Sequence, residues 1–325
     1  MSPTKHGIVS PLNSASTATV MKQLLLICLL LLPYRAFALT IATGSAEGTY
    51  FKIAQDIKQL ADKEGITLDI IATGGSFDNI NLLAAGKVDL AVMQLDVLRF
   101  VTELMLKETG LNVLEEAKVA LNLYLEEIHI IARSAEIRTV QDLQGKRVSV
   151  GPEKSGSALT AEVLLAGFGL TVDRVFGAPE QAVKQLSSGE IDALIFIGGA
   201  PVPAFQTLDK DFHFVGIPLD SGLEQIYPKK KIPGSVYPWA AEVETHAVPS
   251  VIMTRNRVER DYVAAMQKLV LLILSEKENL DATGHPKWKD SFVRSVQESI
   301  GYRPTAEVIQ LYNVLDSIGY RIRKK

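Results

Sequence analysis

The stretch IATGGSFDNINLLAAGKVDLAVMQLD, residues 71–96, decides how the rest of the chain is read. A short apolar run ends in Gly74-Gly75-Ser76, an amphipathic segment follows, Gly86 closes it, and a second apolar run ends in Gln94 and Asp96. The pattern predicts strand, helix, strand, with Ser76 as N-cap, Asp78 at the positive end of the helix dipole, and Ile80, Leu83 and Ala84 as the buried face. Gly86 is the expected left-handed stop. In such a unit the loops at strand C-termini present backbone N–H groups and small polar side chains, which suits a small ligand.

Working outward, Thr40 to Thr43 reads as a strand, and GSAEGTYFKIAQDIKQLADKEG places Tyr50, Ala54, Ile57 and Ala61 on one helical face. Thr67 to Ala72 and Val88 to Met93 are strands, and a helix runs through Leu98 to Leu106. LNLYLEEIHIIARS is a long strand able to cross between domains. The pattern begins again with a strand at Arg147–Val150, a Gly/Ser loop, and a helix with Leu159, Val163 and Ala166 on one face. A shorter helix from Pro179 leads to LSSGEIDALIFIGGAP. LAAGKVDLAV from Leu83 and LSSGEIDALI from Leu186 echo one another, and each follows a Gly-Ser loop, at Gly75-Ser76 or Gly156-Ser157. Common α/β punctuation explains the echo, and so do two similar α/β domains facing one another. Phe212 to Ile217 and HAVPSVIMTRNRV read as strands returning to the first domain, Val258 to Leu274 as a helix, and Asp281 to Tyr320 as a helical tail broken at Arg303-Pro304.

At the N-terminus, MKQLLLICLLLLPYRAFALT carries a basic start, an apolar run and Ala36-Phe37-Ala38, a small-x-small cleavage pattern. The run is about half the roughly 20 residues of a membrane span, so a cleaved secretory signal peptide is expected, with an exported mature chain from near Leu39. Ser/Thr-rich residues 1–20 precede Met21, the expected true start. Cleavage removes Lys5, Lys22 and Arg35 and no acid, taking the net charge from −3 to −6. The sole cysteine, Cys28, leaves with the signal, and Ile27 before it is wrong for a lipoprotein. With 47% hydrophobic and 22% charged residues the chain is an ordinary globular one, and its acidic balance argues against nucleic acid as partner.

Catalytic patterns are weak. His129, His213, His246 and His285 show no metal-ligand spacing. Ser155 and Ser157 lack a G-x-S-x-G elbow, GSAEGTY is no phosphate-binding Walker loop, and Asp78 with Asp96 is a pair of unknown separation. The expectation is a binding protein with no enzyme activity, no metal and no cofactor. Four loops, GSAEGTY, GGSFDN, KSGS and GGAP, would meet in a cleft between two lobes.

These residues resemble the TAXI family of extracytoplasmic solute receptors, the binding components of TRAP transporters. IATGSAEGTYFKIAQDI is similar to the family's opening, TGGSFDNINLLAAGKVDLAVMQLD to its most specific signature, DLQGKRVSVGPEKSGSALTAEVLL and GGAPVPAF to its second-lobe motifs, VPSVIMTRNRV to its returning strand, and GHPKWKD to a C-terminal motif. The resemblance implies a type II periplasmic-binding-protein fold, α/β throughout: two hinged lobes, each a mixed sheet flanked by helices, around a central cleft. Lobe I is expected at 39–125 plus 214–325 and lobe II at 126–213. It implies a monomer that captures a small polar, carboxylate-bearing solute of the glutamate or 2-oxoglutarate kind and delivers it to TRAP permease subunits. A periplasmic sensor feeding a signalling partner is the alternative. Carried over by motif, the ligand-binding residues are Ser45, Thr49 and Tyr50, then Ser76 and Asn79, Gln94 and Asp96, and from the second lobe Ser155, Gly156, Ser157, Gly199 and Ala200. Asp96 serves equally well as the cap of the helix beginning near Leu98. The opening loop departs from the family in Ser45-Ala46-Glu47 and Phe51-Lys52, and Glu47 near the mouth disfavours an anionic ligand unless it points outward.

Overall fold

The architecture was examined in a computed structural model that describes residues 38–110, 117–225 and 227–291, without the side chains of 103–105 and 225. The signal-peptide reading, the start at Met21 and the tail beyond residue 291 lie outside the described residues.

The first half opens with β1 (Leu39–Ala42), helix α1 (Thr49–Lys63), β2 (Leu68–Ile71), α2 (Ser76–Ala84), β3 (Leu90–Gln94) and α3 (Leu95–Thr109). β1 lies between β2 and β3, parallel to both. The second half contains β5 (Arg147–Ser149), α4 (Gly156–Gly167), β6 (Asp173–Val175), α5 (Pro179–Ser188) and β7 (Ala193–Gly198). Here β5 lies between β6 and β7, again parallel to both. Two long strands join the halves. β4 (Ala117–Ala132) pairs antiparallel with β7 through Glu127–Ala132, and β10 (Val243–Arg255) pairs with β3 through Ser250–Thr254 and with β4. The result is one curled mixed sheet in the order β2-β1-β3-β10-β4-β7-β5-β6. β8 (His213–Phe214) adds to β4 and β9 (Lys229–Ile232) to β10. Helices α6 (Arg260–Ser275) and α7 (Lys277–Thr283) and a 3-10 turn at Pro286–Asp290 close the described chain.

The sequence echo has a physical basis in this topology. Gly86 and Gly189 sit at φ +68° and +78°, ending α2 and α5 with the same pair of bonds: glycine N–H to the carbonyl three residues back, the next N–H to the carbonyl five back. Three residues beyond each glycine an aspartate stitches the following strand to the central one. Asp89 accepts from Thr40 N at 2.9 Å and Asp192 from Arg147 N at 2.8 Å. The two halves therefore repeat one design, β1-α1-β2-α2-β3 against β5-α4-β6-α5-β7.

Several local expectations are corrected. β6 was not anticipated, because three residues are too short for a periodicity signal; GGAP consequently follows the third strand of the second half, and the counterpart of the Gly75-Ser76 loop is Gly177-Ala178-Pro179. The N-cap of α2 is Gly75, at φ +112°, with Ser76 inside the helix. Ala84 and Ala166 are exposed. Asn79 takes the buried position on α2, and α4 is buried over most of its circumference because it packs on both the sheet and α3.

The core is apolar and divided. Ile41, Ile53, Ile57, Leu121, Tyr262 and Trp288 form part of one cluster on the first half. Phe205, Ile232, Tyr237 and Trp239 form part of another on the second, so the apolar side chains around β9 pack with the second half. Among the described residues no helix is long and apolar enough to cross a membrane.

Candidate functional site

Where the C-terminal ends of the two sets of strands face each other, they enclose a cavity of about 180 Å³. That is below the roughly 300–1,000 Å³ of drug-sized sites and suits a small solute. All four loops named from sequence reach it, through Gly44–Tyr50, Gly74–Ser76, Ser155–Ser157 and Gly198-Gly199; a fifth, Ala178-Pro179-Glu180 after β6, joins them. The N-termini of α1, α2, α4 and α5 thus converge on one space, each with first-turn N–H groups that have no partner within their own helix.

Of the residues carried over by motif, Ser45, Thr49, Tyr50, Ser76, Gln94, Ser155, Gly156, Ser157 and Gly199 line the cavity, while Asn79, Asp96 and Ala200 do not. Asn79 is wholly buried and donates from Nδ2 to the carbonyls of Thr43 and Val92, with Thr73 Oγ1 2.7 Å from its Oδ1. Its amide locks two cavity loops to β3. Asp96, in the first turn of α3, accepts from its neighbour Val97 N, from Thr160 Oγ1 on α4 at 2.7 Å and from the Tyr227 hydroxyl at 3.0 Å. It joins the two halves behind the cavity. Ala200 N donates to Glu127.

Several hydroxyls are partly engaged already. Ser76 Oγ accepts from Gln94 N at 3.1 Å and Ser155 Oγ from Ala158 N at 3.2 Å, so each still has a proton to donate. Ser157 Oγ both donates to the Ile197 carbonyl and accepts from Ile197 N, which fastens α4 to β7. The halves touch across the cavity mouth: Thr49 Oγ1 donates to the Gly199 carbonyl at 3.1 Å, and Gly156 lies hard against Gln94. Glu47 sits at the rim, exposed, 3.7 Å from Lys52, which answers the question its sequence position raised.

Sequence reasoning missed the floor of the site. Tyr124 and Glu126, on β4, both face the cavity. Glu126 is 3% exposed and accepts from Gln94 Nε2 at 2.8 Å through one oxygen; its other oxygen, Gln94 Oε1 and the hydroxyls of Tyr50 and Tyr124 are buried without a hydrogen-bond partner. The signal lay in LYLEEIHIIA, two adjacent acids inside an otherwise apolar crossover strand. Side chains alternate along a strand, so the pair points to opposite faces. Glu127 accordingly turns away, to Lys287 Nζ in a fully buried ion pair.

Burial raises the Glu126 carboxyl to about 8, with Asp96 and Glu127 adding to the rise and the nearby Tyr50 hydroxyl and the Gln94 amide opposing it. Burial also pushes up Tyr50, Tyr124 and Asp96. His129 is pushed down to about 3 by burial and stays neutral against Tyr237. Among the described residues no cluster of His, Cys, Asp and Glu has the geometry of a metal site. For Glu126 the folded state binds its proton more tightly than the unfolded chain, so its contribution to stability is complete below the unfolded value near 4.5 and declines as pH rises toward 8. Stability of the empty protein should lose on the order of 1.4 kcal/mol per pH unit across that window from this group. In Glu126→Gln that component should vanish, measured as urea midpoints from pH 5 to 9.

A sheet of this topology with a cavity at the crossover between two β/α halves defines the class of periplasmic-binding-protein-like folds. The chain belongs to the NMT1-like family, whose model matches residues 41–292. It is similar to a solved structure described as a periplasmic transporter, with a TM-score of 0.61 at 14% identity over 88% of this chain and 97% of that one. A Bordetella bronchiseptica protein matches at 0.51 and 16% identity over 86% and 89%, and one from Archaeoglobus fulgidus at 0.50 and 12% over 89% and 100%. At these identities the likeness is one of fold.

Proposed function

We propose that the protein is a periplasmic solute receptor of the TAXI type that closes on a small carboxylate-bearing molecule and presents it to TRAP permease subunits. The observation that carries this reading is the cavity itself, walled by loops from both halves and bridged by Thr49–Gly199 and Gly156–Gln94 contacts. A solute touching both walls has more contacts in the closed state than in the open one, so binding shifts the population to closed. The four helix N-termini and the free protons of Ser76 and Ser155 supply donors for a carboxylate. We place the lobe crossings near Glu126 in β4 and near Val248 in β10, since Ile232, Tyr237 and Trp239 pack with Phe205; residues 39–125 form the body of lobe I, and the return to it comes later than residue 214. The mature chain, a monomer, would begin near Leu39.

The test is a thermal-shift screen of the mature protein against amino acids, 2-oxo acids and dicarboxylates. A true ligand at a hundred times its Kd should stabilise by about 2.7 kcal/mol, and Tyr50→Ala, which removes a wall, should abolish the shift. An unchanged melt across the whole panel would refute the receptor reading.

A further inference from the structure

We infer that the floor of the cavity is a subsite for a protonated nitrogen, so that the solute is an amine-bearing acid and not its deamino or 2-oxo counterpart. This rests on the receptor reading above and sharpens its substrate class. The first ground is composition: the cavity wall has three carboxylates, Glu47, Glu126 and Glu180, and no lysine, arginine or histidine. Glu47 and Glu180 are exposed at the rim, where solvent screens them, but Glu126 is buried. A second carboxylate pushed to the floor would find no cation on the wall to pair with.

The second ground is the set of unsatisfied atoms. Glu126 Oε1, Gln94 Oε1, Tyr50 Oη and Tyr124 Oη are all buried and unpartnered, and all belong to residues lining the cavity. Gln94 Oε1 is an acceptor only, Glu126 becomes one when its carboxyl ionises, and the two phenol oxygens can accept. An ammonium has three donors and no acceptor, and the rings of Tyr50, Tyr124 and Phe196 on the wall offer π faces to the same charge. The opposite preference, a carboxylate, fits the helix N-termini on the other walls, so one zwitterion satisfies both ends.

The groups around Glu126 are Tyr50 from α1, Gln94 from β3, Asp96 behind Gln94, and Tyr124 on its own strand, with the charge of Glu127 on the opposite face. Lys287, 5.9 Å from the Tyr124 ring, is held by Glu127 and Asp290. In the empty site at pH 7 Glu126 is mostly protonated; a cation beside it favours the carboxylate, and its proton leaves to solvent. Binding therefore releases a proton at pH 7, and less as the pH rises past 8.

The experiment has two arms. Hits from the thermal-shift screen are titrated calorimetrically beside their deamino and 2-oxo counterparts, for example L-glutamate beside glutarate and 2-oxoglutarate. Proton release is read from wild-type heats in two buffers of different ionisation enthalpy. The expected result is that hits carry a basic nitrogen, that removing it weakens binding at least tenfold, that Glu126→Gln loses this preference, and that a proton is released at pH 7. Hits without nitrogen, equal binding of the deamino partner, a Glu126→Gln protein that keeps the preference, or no proton release would overturn the subsite and leave the receptor reading standing. A screen with no hit of any charge would overturn both. Should Glu126→Gln fail to fold, the comparison of each hit with its deamino partner on the wild type decides.

Discussion

Gly156→Val is expected to weaken solute binding by about a hundredfold while leaving the fold intact. Gly156 opens α4 at the point where the second half meets the first. An added Cβ would overlap Gln94 Oε1 and lie 3.1 Å from Ser76 Oγ. Gln94 can move only by breaking its bond to Glu126, a charge-assisted interaction of about 1.5–3 kcal/mol, or roughly tenfold to a hundredfold in affinity, and the two further carbons of valine add to that. The conflict exists only when the halves are together. The backbone at Gly156 is not in the left-handed region, so a side chain introduces no strain of its own. Calorimetry of a screened ligand should show the loss, and the urea midpoint of the empty variant should stay close to wild type. A variant that binds normally would mean that this contact is no part of the bound state.

Lys287→Met should lower stability by about 3–5 kcal/mol, because it leaves Glu127 buried without its principal counter-charge. Lys287 and Glu127 are each 2% exposed, and Lys287 Nζ also reaches Asp290 at 3.0 Å. Lys230, 3.8 Å from Glu127 and one-quarter exposed, compensates in part, which favours the lower end of the range. The double variant Glu127→Gln/Lys287→Met should recover much of the loss, since the cost comes from the stranded charge and not from missing attraction. Urea unfolding of the single and double variants measures both. Equal destabilisation in the two would point to packing around Trp288 as the cause. This pair also explains GHPKWKD: Lys287 underpins the crossover strand beside the site, and Trp288, wholly buried, donates to Asp56 on α1.

The α/β character, the strand-helix-strand units and the four loops were legible because they follow from local rules: apolar spacing, glycine after a helix, aspartate opening a strand. The use each side chain makes of its polar atoms was not legible, since that depends on what the fold brings alongside. Asn79 and Asp96 stand in the signature stretch, and both turn out to bond within the protein. Asn79 holds the loops that shape the cavity, and Asp96 links α3 to α4. Glu126 was passed over for the complementary reason. In sequence it is one polar residue in a crossover strand, and only the approach of Gln94 and the two tyrosines makes it the floor of a closed space. Ser76 illustrates the same limit at short range: serine is a good N-cap, but the positive φ at Gly75 moves the helix start by one residue and frees Ser76 Oγ to accept from Gln94 N.

The most direct test of the closing-cleft account is a crystal structure of the mature protein with a solute identified by the screen. The account places that solute between Ser76, Gln94 and Glu126 on one side and Ser155, Gly156 and Gly199 on the other, with its nitrogen at Glu126. A solute seated outside this cavity, or one that contacts a single half and leaves the other free, would contradict it.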